Sequence, residues 1–315
     1  MVKKILLVSF FILVVVLSAC QKSTNTTSKL GFIGGKEGLV TVMNVESGKN
    51  GEVLDNNLED FKINLNLENK GEYPVKENEV LATIVGVDYR SFSLTAPSQK
   101  NVEPLDKIRQ EQGNKVPGGQ AVLSFASKFV DDLPVDQSYN LGANICYKYQ
   151  TGATSSLCLR KEATKRGDPK DNCKLDDPKP AVGSSAAPLQ VTSLSQRPTG
   201  KNEMSFTMTI ENVGKGDVYP PDFVETNTQC LEKSDVKNKL QISVSFPENR
   251  PAISCPALGN SNLGQLQLIQ GKATVTCKID TSQEQETTFT RSPNIQLDYV
   301  YKDVVSTKLT VRNAA

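Results

Sequence analysis

The sequence predicts an all-β chain built as two sandwich domains in tandem. Three observations carry that prediction: short segments in which apolar and polar residues alternate, turn residues between those segments, and a stretch that is written twice. Alternation marks a strand with one buried face, because successive side chains point to opposite sides. No long segment carries a helical period, and only residues 104–112 suggest a short helix.

The repeat sets the organisation. Residues 63–71 read I-N-L-N-L-E-N-K-G and residues 206–214 read F-T-M-T-I-E-N-V-G. Three further anchors follow: GQAVLSF from Gly119 with GKATVTC from Gly271, YKY from Tyr147 with YVY from Tyr299, and LCLR from Leu157 with LTVR from Leu309. Those three share an offset of 152 residues (271−119, 299−147, 309−157), whereas the first has 143 (212−69), so the second copy carries nine extra residues before Gly271. Two copies of one domain are expected, at residues 36–162 and 187–315.

Taken in chain order, the first element is an address. Lys3 and Lys4 precede an apolar run from Ile5 to Leu17 broken only by Ser9. Thirteen such residues make about 20 Å of helix, short of the ~30 Å core of a bilayer, which reads as a secretory signal rather than a spanning segment. Leu17-Ser18-Ala19-Cys20 resembles the lipobox of prokaryotic lipoproteins. That resemblance implies a signal peptide at residues 1–19, cleavage before Cys20, and lipid on the thiol and the new amino group. An uncleaved N-terminal anchor and ordinary secretion are the alternatives, and all three readings export the chain. Residues 20–35 are expected to be a flexible tether, since QKSTNTTSK after Cys20 is almost wholly polar. Asn25-Thr26-Thr27 makes Asn25 a glycosylation candidate there.

Copy one offers the strand-like segments GLVTVMNV, FKINLNLEN, VLATIVGV, QAVLSFASKF, GANICYKY and SSLCLR. Residues 163–186, rich in charge, proline and small residues, read as a linker. Its Arg166-Gly167-Asp168 triplet is what such a composition makes by chance. Copy two offers LQVTSL, EMSFTMTIEN, LQISVSF, KATVTCKI, IQLDYVY and TKLTVRN. Six or so short strands per copy, with turns between them, suggest sandwiches of immunoglobulin type.

Besides Cys20 there are six cysteines, an even count that in an exported chain reads as disulfides. Strand parity places Cys146 and Cys158 on the same face, opposite Tyr147 and Tyr149, and a Cys146–Cys158 bond across one hairpin is expected. Cys277 lies on the apolar face of its strand, where Cys255 could meet it, giving Cys255–Cys277. Elimination leaves Cys173–Cys230, which would pin the linker to copy two.

The E-N-x-G strand ends resemble the CARDB/NEW3 family of immunoglobulin-like modules, in which a strand closes with an N-x-G turn as at Asn69-Lys70-Gly71 and Asn212-Val213-Gly214. The resemblance covers only the strand and turn of each copy. It implies adhesion, assembly or a spacer role and brings no catalytic residues. A lipobox followed by two such modules also resembles surface lipoproteins of archaea and bacteria.

Composition closes several alternatives. Thirty-six basic and thirty-five acidic residues leave a net charge of +1, which provides no field to draw nucleic acid. The chain has no histidine, so Ser-His-Asp and Cys-His catalysis and histidine-ligated zinc are excluded. Asp131-Asp132 and Asp176-Asp177 match no calcium loop and read as solvated acids. Tyr147, Tyr149, Tyr299 and Tyr301 read as core packing of tyrosine-corner type rather than as a ligand box. No enzyme activity, cofactor or metal is expected. The expected function is a lipid-anchored extracytoplasmic protein, held to the membrane through Cys20, that offers its sandwiches to a protein partner at the cell envelope. Addition of a strand at an exposed edge is the simplest binding mode. A passive spacer, or a small-ligand or glycan receptor using the loops around Tyr219-Pro220-Pro221 and Cys230, are the alternatives.

Overall fold

The alternating segments bury one face each. Phe61, Ile63, Leu65 and Leu67 are buried while Lys62 and Asn66 between them are exposed. In the second copy Met204, Phe206, Met208 and Ile210 do the same. The structure is a computed structural model that describes residues 30–49, 51–164, 173, 175, 180–285 and 287–314. Cys20, Asn25, Arg166-Gly167-Asp168 and Asp176-Asp177 lie outside the described residues.

Copy one forms β1 (Leu39–Glu46), β2 (Glu52–Leu54), β3 (Asp60–Asn69), β4 (Val80–Val85), β5 (Ser98–Lys100), β6 (Arg109–Glu111), β7 (Asn114–Val116), β8 (Gln120–Lys128), β9 (Gln137–Ser155) and β10 (Leu157–Arg160). The linker contributes β11 (Val182–Ser184). Copy two forms β12 (Leu189–Gly200), β13 (Glu203–Asn212), β14 (Asp217–Tyr219), the short helix α1 (Phe223–Thr226), β15 (Lys239–Ser245), β16 (Ala252–Ser254), β17 (Leu263–Gln267), β18 (Lys272–Asp280), β19 (Thr288–Arg291) and β20 (Asn294–Arg312). The fold is all-β, as the alternation predicts. The short helix expected at residues 104–112 is absent. Its second half is the first arm of the β6–β7 hairpin, turned by Gln112 and Gly113, both at positive φ.

The repeat is visible in the topology. Copy one has a three-stranded sheet in the order β1-β3-β8, and copy two has β12-β13-β18 in the same order with β16 added beyond β18. The other layer is shared. A nine-stranded sheet runs β17-β15-β20-β9-β4-β5, with β2, β11 and β14 attached. At its centre β9 and β20 pair antiparallel from Gln137↔Val311 to Ala153↔Ile295. Lys148 lies opposite Val300, its own repeat equivalent (300−148 = 152), so a local two-fold axis passes between them. β1 packs over β20 and β12 over β9, so each small sheet reaches across to the other copy's long strand. Ile63, Phe125 and Tyr147 of copy one and Phe206, Val275 and Tyr299 of copy two belong to one contiguous apolar core.

The two long strands correct the cysteine pairing. The expected Cys146–Cys158 bond requires YKY and LCLR to form one hairpin. The chain instead runs straight through Gly152, where the absence of a side chain lets the Phe32 ring approach. The ten residues of extended strand from Cys146 to Ser155 span about 30 Å, which rules out a Cys146–Cys158 bond. Cys146 is bonded to Cys230, and Cys158 to Cys173, replacing the expected Cys146–Cys158 and Cys173–Cys230 pairs. Cys255–Cys277 is formed as strand parity predicts, fully buried in the core. Parity itself holds for Cys146, which points away from Tyr147 and Tyr149 into a separate apolar cluster.

Residues 30–35, expected to be tether, are seated on the body. The Glu72 carboxylate accepts N–H bonds from Ile33 and Gly34 at 2.9 Å and from Ala186 at 2.7 Å, tying the start of the body to the end of the linker.

Candidate interaction surface

Each copy closes its central strand with the same side-chain device. The Asn69 amide donates to the Tyr73 carbonyl at 2.7 Å while its oxygen accepts from the Gly71 N–H and the Tyr149 hydroxyl, both at 3.1 Å. Asn212 repeats this with the Gly216 carbonyl at 2.8 Å and with the Gly214 N–H and Tyr301 hydroxyl at 3.2 Å. Asn forms such a turn because its amide can pair with backbone groups a few residues on. Glycine is required at 71 and 214 because a Cβ there would overlap the Tyr149 or Tyr301 hydroxyl. Burial raises the pKa of all four central tyrosines, and Tyr301 is pushed up to about 12. Tyr299 shares a hydrogen bond with Thr151 across the two-fold axis. These rings are structural and are not displayed to a ligand.

The extra residues of copy two cover the back of the shared sheet. Tyr219 stacks on Phe223 with ring centroids 4.0 Å apart. Together with Val224 and the Cys146–Cys230 bond they enclose Leu81 of copy one and Val300 at the two-fold axis. Tyr219 and Cys230 are fully buried, so the loop proposed as a ligand site displays neither. Pro220, Pro221 and Asp222 remain to line a cleft of about 270 Å³ with Gln241, Gly264 and Gln265. Ser234-Asp235-Val236-Lys237 has the S-x-x-K spacing of a serine nucleophile and its lysine base. Lys237, however, is bonded to Glu232 at 2.8 Å and Asp217 at 2.9 Å, which raises its pKa and keeps it charged, the opposite of what a base needs.

A larger cleft of about 810 Å³ lies where Pro247–Ala252 faces Asp280, Glu284 and Arg291. Its cations and acids are mixed, and Arg291 is already engaged by Glu284 at 3.7 Å and by the Phe289 ring. Asp131 and Asp132 are exposed. Among the described residues no group of three His, Cys, Asp or Glu side chains could hold a metal ion, and no helix is long and apolar enough to cross a membrane.

The feature suited to contact is an edge. β8 has a strand neighbour on one side only, β3. Along its other side the Gln99 side chain donates to the Ser124 carbonyl at 2.9 Å, and the Phe92 carbonyl accepts from the Ser127 hydroxyl and the Lys128 N–H. The equivalent strand β18 is flanked instead by β16, by the Cys255–Cys277 bond and by the turn Pro256–Leu258. Beside the open edge, the outer face of the β1-β3-β8 sheet carries two exposed valines in one row, Val42 and Val122, on either side of Asn66. The next row is polar, with Ser124 bonded to Asn64 and Asn64 to Glu46.

No family model and no curated protein matches this chain. Solved structures that align with it include the serine-rich repeat protein Srr2 of Streptococcus agalactiae, at 9% identity over 87% of this chain and 92% of that one, with a TM-score of 0.14. The major capsid protein P2 of bacteriophage PM2 aligns at 7% identity over 84% and 98%, with a TM-score of 0.15. The Srr1 adhesion glycoprotein of Streptococcus agalactiae aligns at 10% over 87% and 96%, with a TM-score of 0.16. Superpositions at that level carry no argument about this chain. The three disulfides indicate an oxidising, extracytoplasmic environment.

Proposed function

We propose that this chain is a lipoprotein of the cell envelope, anchored through Cys20, whose two-copy β body makes protein–protein contact at the β8 edge. The observation that carries the reading is the asymmetry between the copies. In copy two β16 pairs with Lys278–Asp280 of the equivalent edge, Ile269 pairs with Lys272, and the Cys255–Cys277 bond and the Pro256–Leu258 turn lie beside it, whereas the copy-one edge meets one side-chain hydrogen bond and one backbone carbonyl. Unpaired edges of this kind template strand addition, and natural proteins usually cover or charge them. Residues 120–127 of β8 contain neither charge nor proline. The lipid anchor rests on the Leu17-Ser18-Ala19-Cys20 sequence, and the absence of catalysis on the missing histidine and the committed Lys237.

A photo-reactive amino acid in place of Gln120, in the full chain in native membranes, tests the contact. Adducts with protein are expected from Gln120 and not from its exposed repeat equivalent Lys272. Equal adduct formation at both positions, or none at either, would overturn the reading.

A further inference from the structure

We infer that the occupant of the β8 edge is the β8 edge of a second copy of this chain, giving a two-fold dimer. The inference rests on the proposed contact role of that edge and names its partner.

Backbone parity comes first. The Ser124 carbonyl meets Gln99 and the Lys128 N–H meets Phe92 on the side away from β3. Residues two apart in a strand direct their N–H and C=O groups the same way, so Val122, Ser124 and Ala126 all present theirs to the open side. Antiparallel pairing of two β8 strands about Leu123 sets Val122 opposite Ser124 of the second copy and Gln120 opposite its Ala126. Every outward group then finds an outward partner. Like charges directly opposite would destabilise such a pair, and residues 120–127 contain none. With a net charge of +1 the two bodies do not repel at long range.

Closure is the second argument. A two-fold contact uses the same patch on both molecules and stops at two, whereas a contact between unlike edges propagates. The propagating alternative, β8 of one molecule on the equivalent β18 of another, is hindered because β16 already pairs with Lys278–Asp280 of β18 and the Cys255–Cys277 bond lies beside it. The chain would therefore form a closed pair rather than a fibre. The fold already holds one antiparallel two-fold strand pairing of this type, β9 with β20.

Gln99 makes the test two-sided. Its side chain occupies the Ser124 carbonyl that a second strand would use. Removing it with Gln99→Ala should tighten self-association about threefold to tenfold, by releasing an acceptor from an internal bond. Val122→Pro removes an N–H that faces the open side and leaves the β3 ladder intact, and should weaken association about tenfold or more. The experiment is sedimentation of the full detergent-extracted chain over a concentration series, for wild type and both variants, with thermal unfolding to confirm that each is folded. If Val122→Pro is unfolded, Val122→Lys replaces it, placing like charges near the axis. A dimer strengthened by Gln99→Ala and weakened at Val122, with Gln120 adducts of twice the chain mass, supports the inference. A monomer at every concentration, or a dimer indifferent to both positions, overturns it. Gln120 adducts with a different protein would overturn the second copy as occupant while leaving the edge as a protein contact.

Discussion

Tyr149 and Tyr301 each give a hydroxyl proton to the asparagine that opens an N-x-G turn, and the two turns should not be equally sensitive. Asn69 makes four bonds in buried surroundings, including one to the Leu105 carbonyl. Asn69→Ala should cost about 2–4 kcal/mol in urea unfolding, and Asn212→Ala, in a more open setting, less. Gly214→Ala should cost about 2–3 kcal/mol by forcing a Cβ against the Tyr301 hydroxyl, and the loss should shrink when Tyr301→Phe removes that hydroxyl. Alkali probes the same residues. Burial raises the folded pKa of Tyr147, Tyr299 and Tyr301 above the ordinary value of 10.0, with Tyr301 at about 12. The unfolded chain therefore loses protons first, so the contribution of these groups is full below pH 10 and falls as pH rises through 12. Phenolate absorbance and loss of circular dichroism should appear together in that window. At this scale the sequence was readable in part: E-N-x-G named the turn, and the spacing of the tyrosines suggested corner packing. Which hydroxyl met which asparagine depends on a strand 80 to 89 residues away in the chain, and no local pattern encodes that.

Between residues and the molecule lie elements whose length decided what could bond to what. Cysteine parity was legible because alternation fixes sides. The hairpin was misread because β9 does not turn after Cys146 but runs on to Ser155, through Gly152, where the Phe32 ring approaches. The insert of copy two was visible only as nine extra residues, with nothing to say that it folds over copy one. Its fastening can be measured. The Cys146–Cys230 bond closes a separation of 84 residues and Cys158–Cys173 one of 15. In the chain-entropy model these correspond to about 4–5 and about 3 kcal/mol. Replacing Cys146 and Cys230 together by alanine should therefore lower the unfolding midpoint more than replacing Cys158 and Cys173. Peptide mapping without reduction should recover Cys146 joined to Cys230, and recovery of Cys146 with Cys158 would contradict the strand lengths described above.

For the molecule as a whole, the repeat was plain in the sequence and the way its copies join was not. A constant offset identifies two equivalent segments, but it is silent on whether they hang apart or share a sheet. Here β9 and β20 pair over their length and one core runs through both copies. Unfolding should accordingly be a single calorimetric transition, and residues 187–315 alone should fail to give a stable fold, because β20 would lose β9 and expose its ladder. Two separate transitions, or a stable isolated half, would show the copies to be independent. The shared ladder also sets how the body would behave under load. Leu30 enters beside Gly183, where β11 joins the Ala153 end of β9, and β20 finishes beyond the opposite end of that ladder at Arg312. A pull between Leu30 and Arg312 thus acts along the strands, so that the cross-strand bonds resist together in shear instead of opening one at a time like a zip.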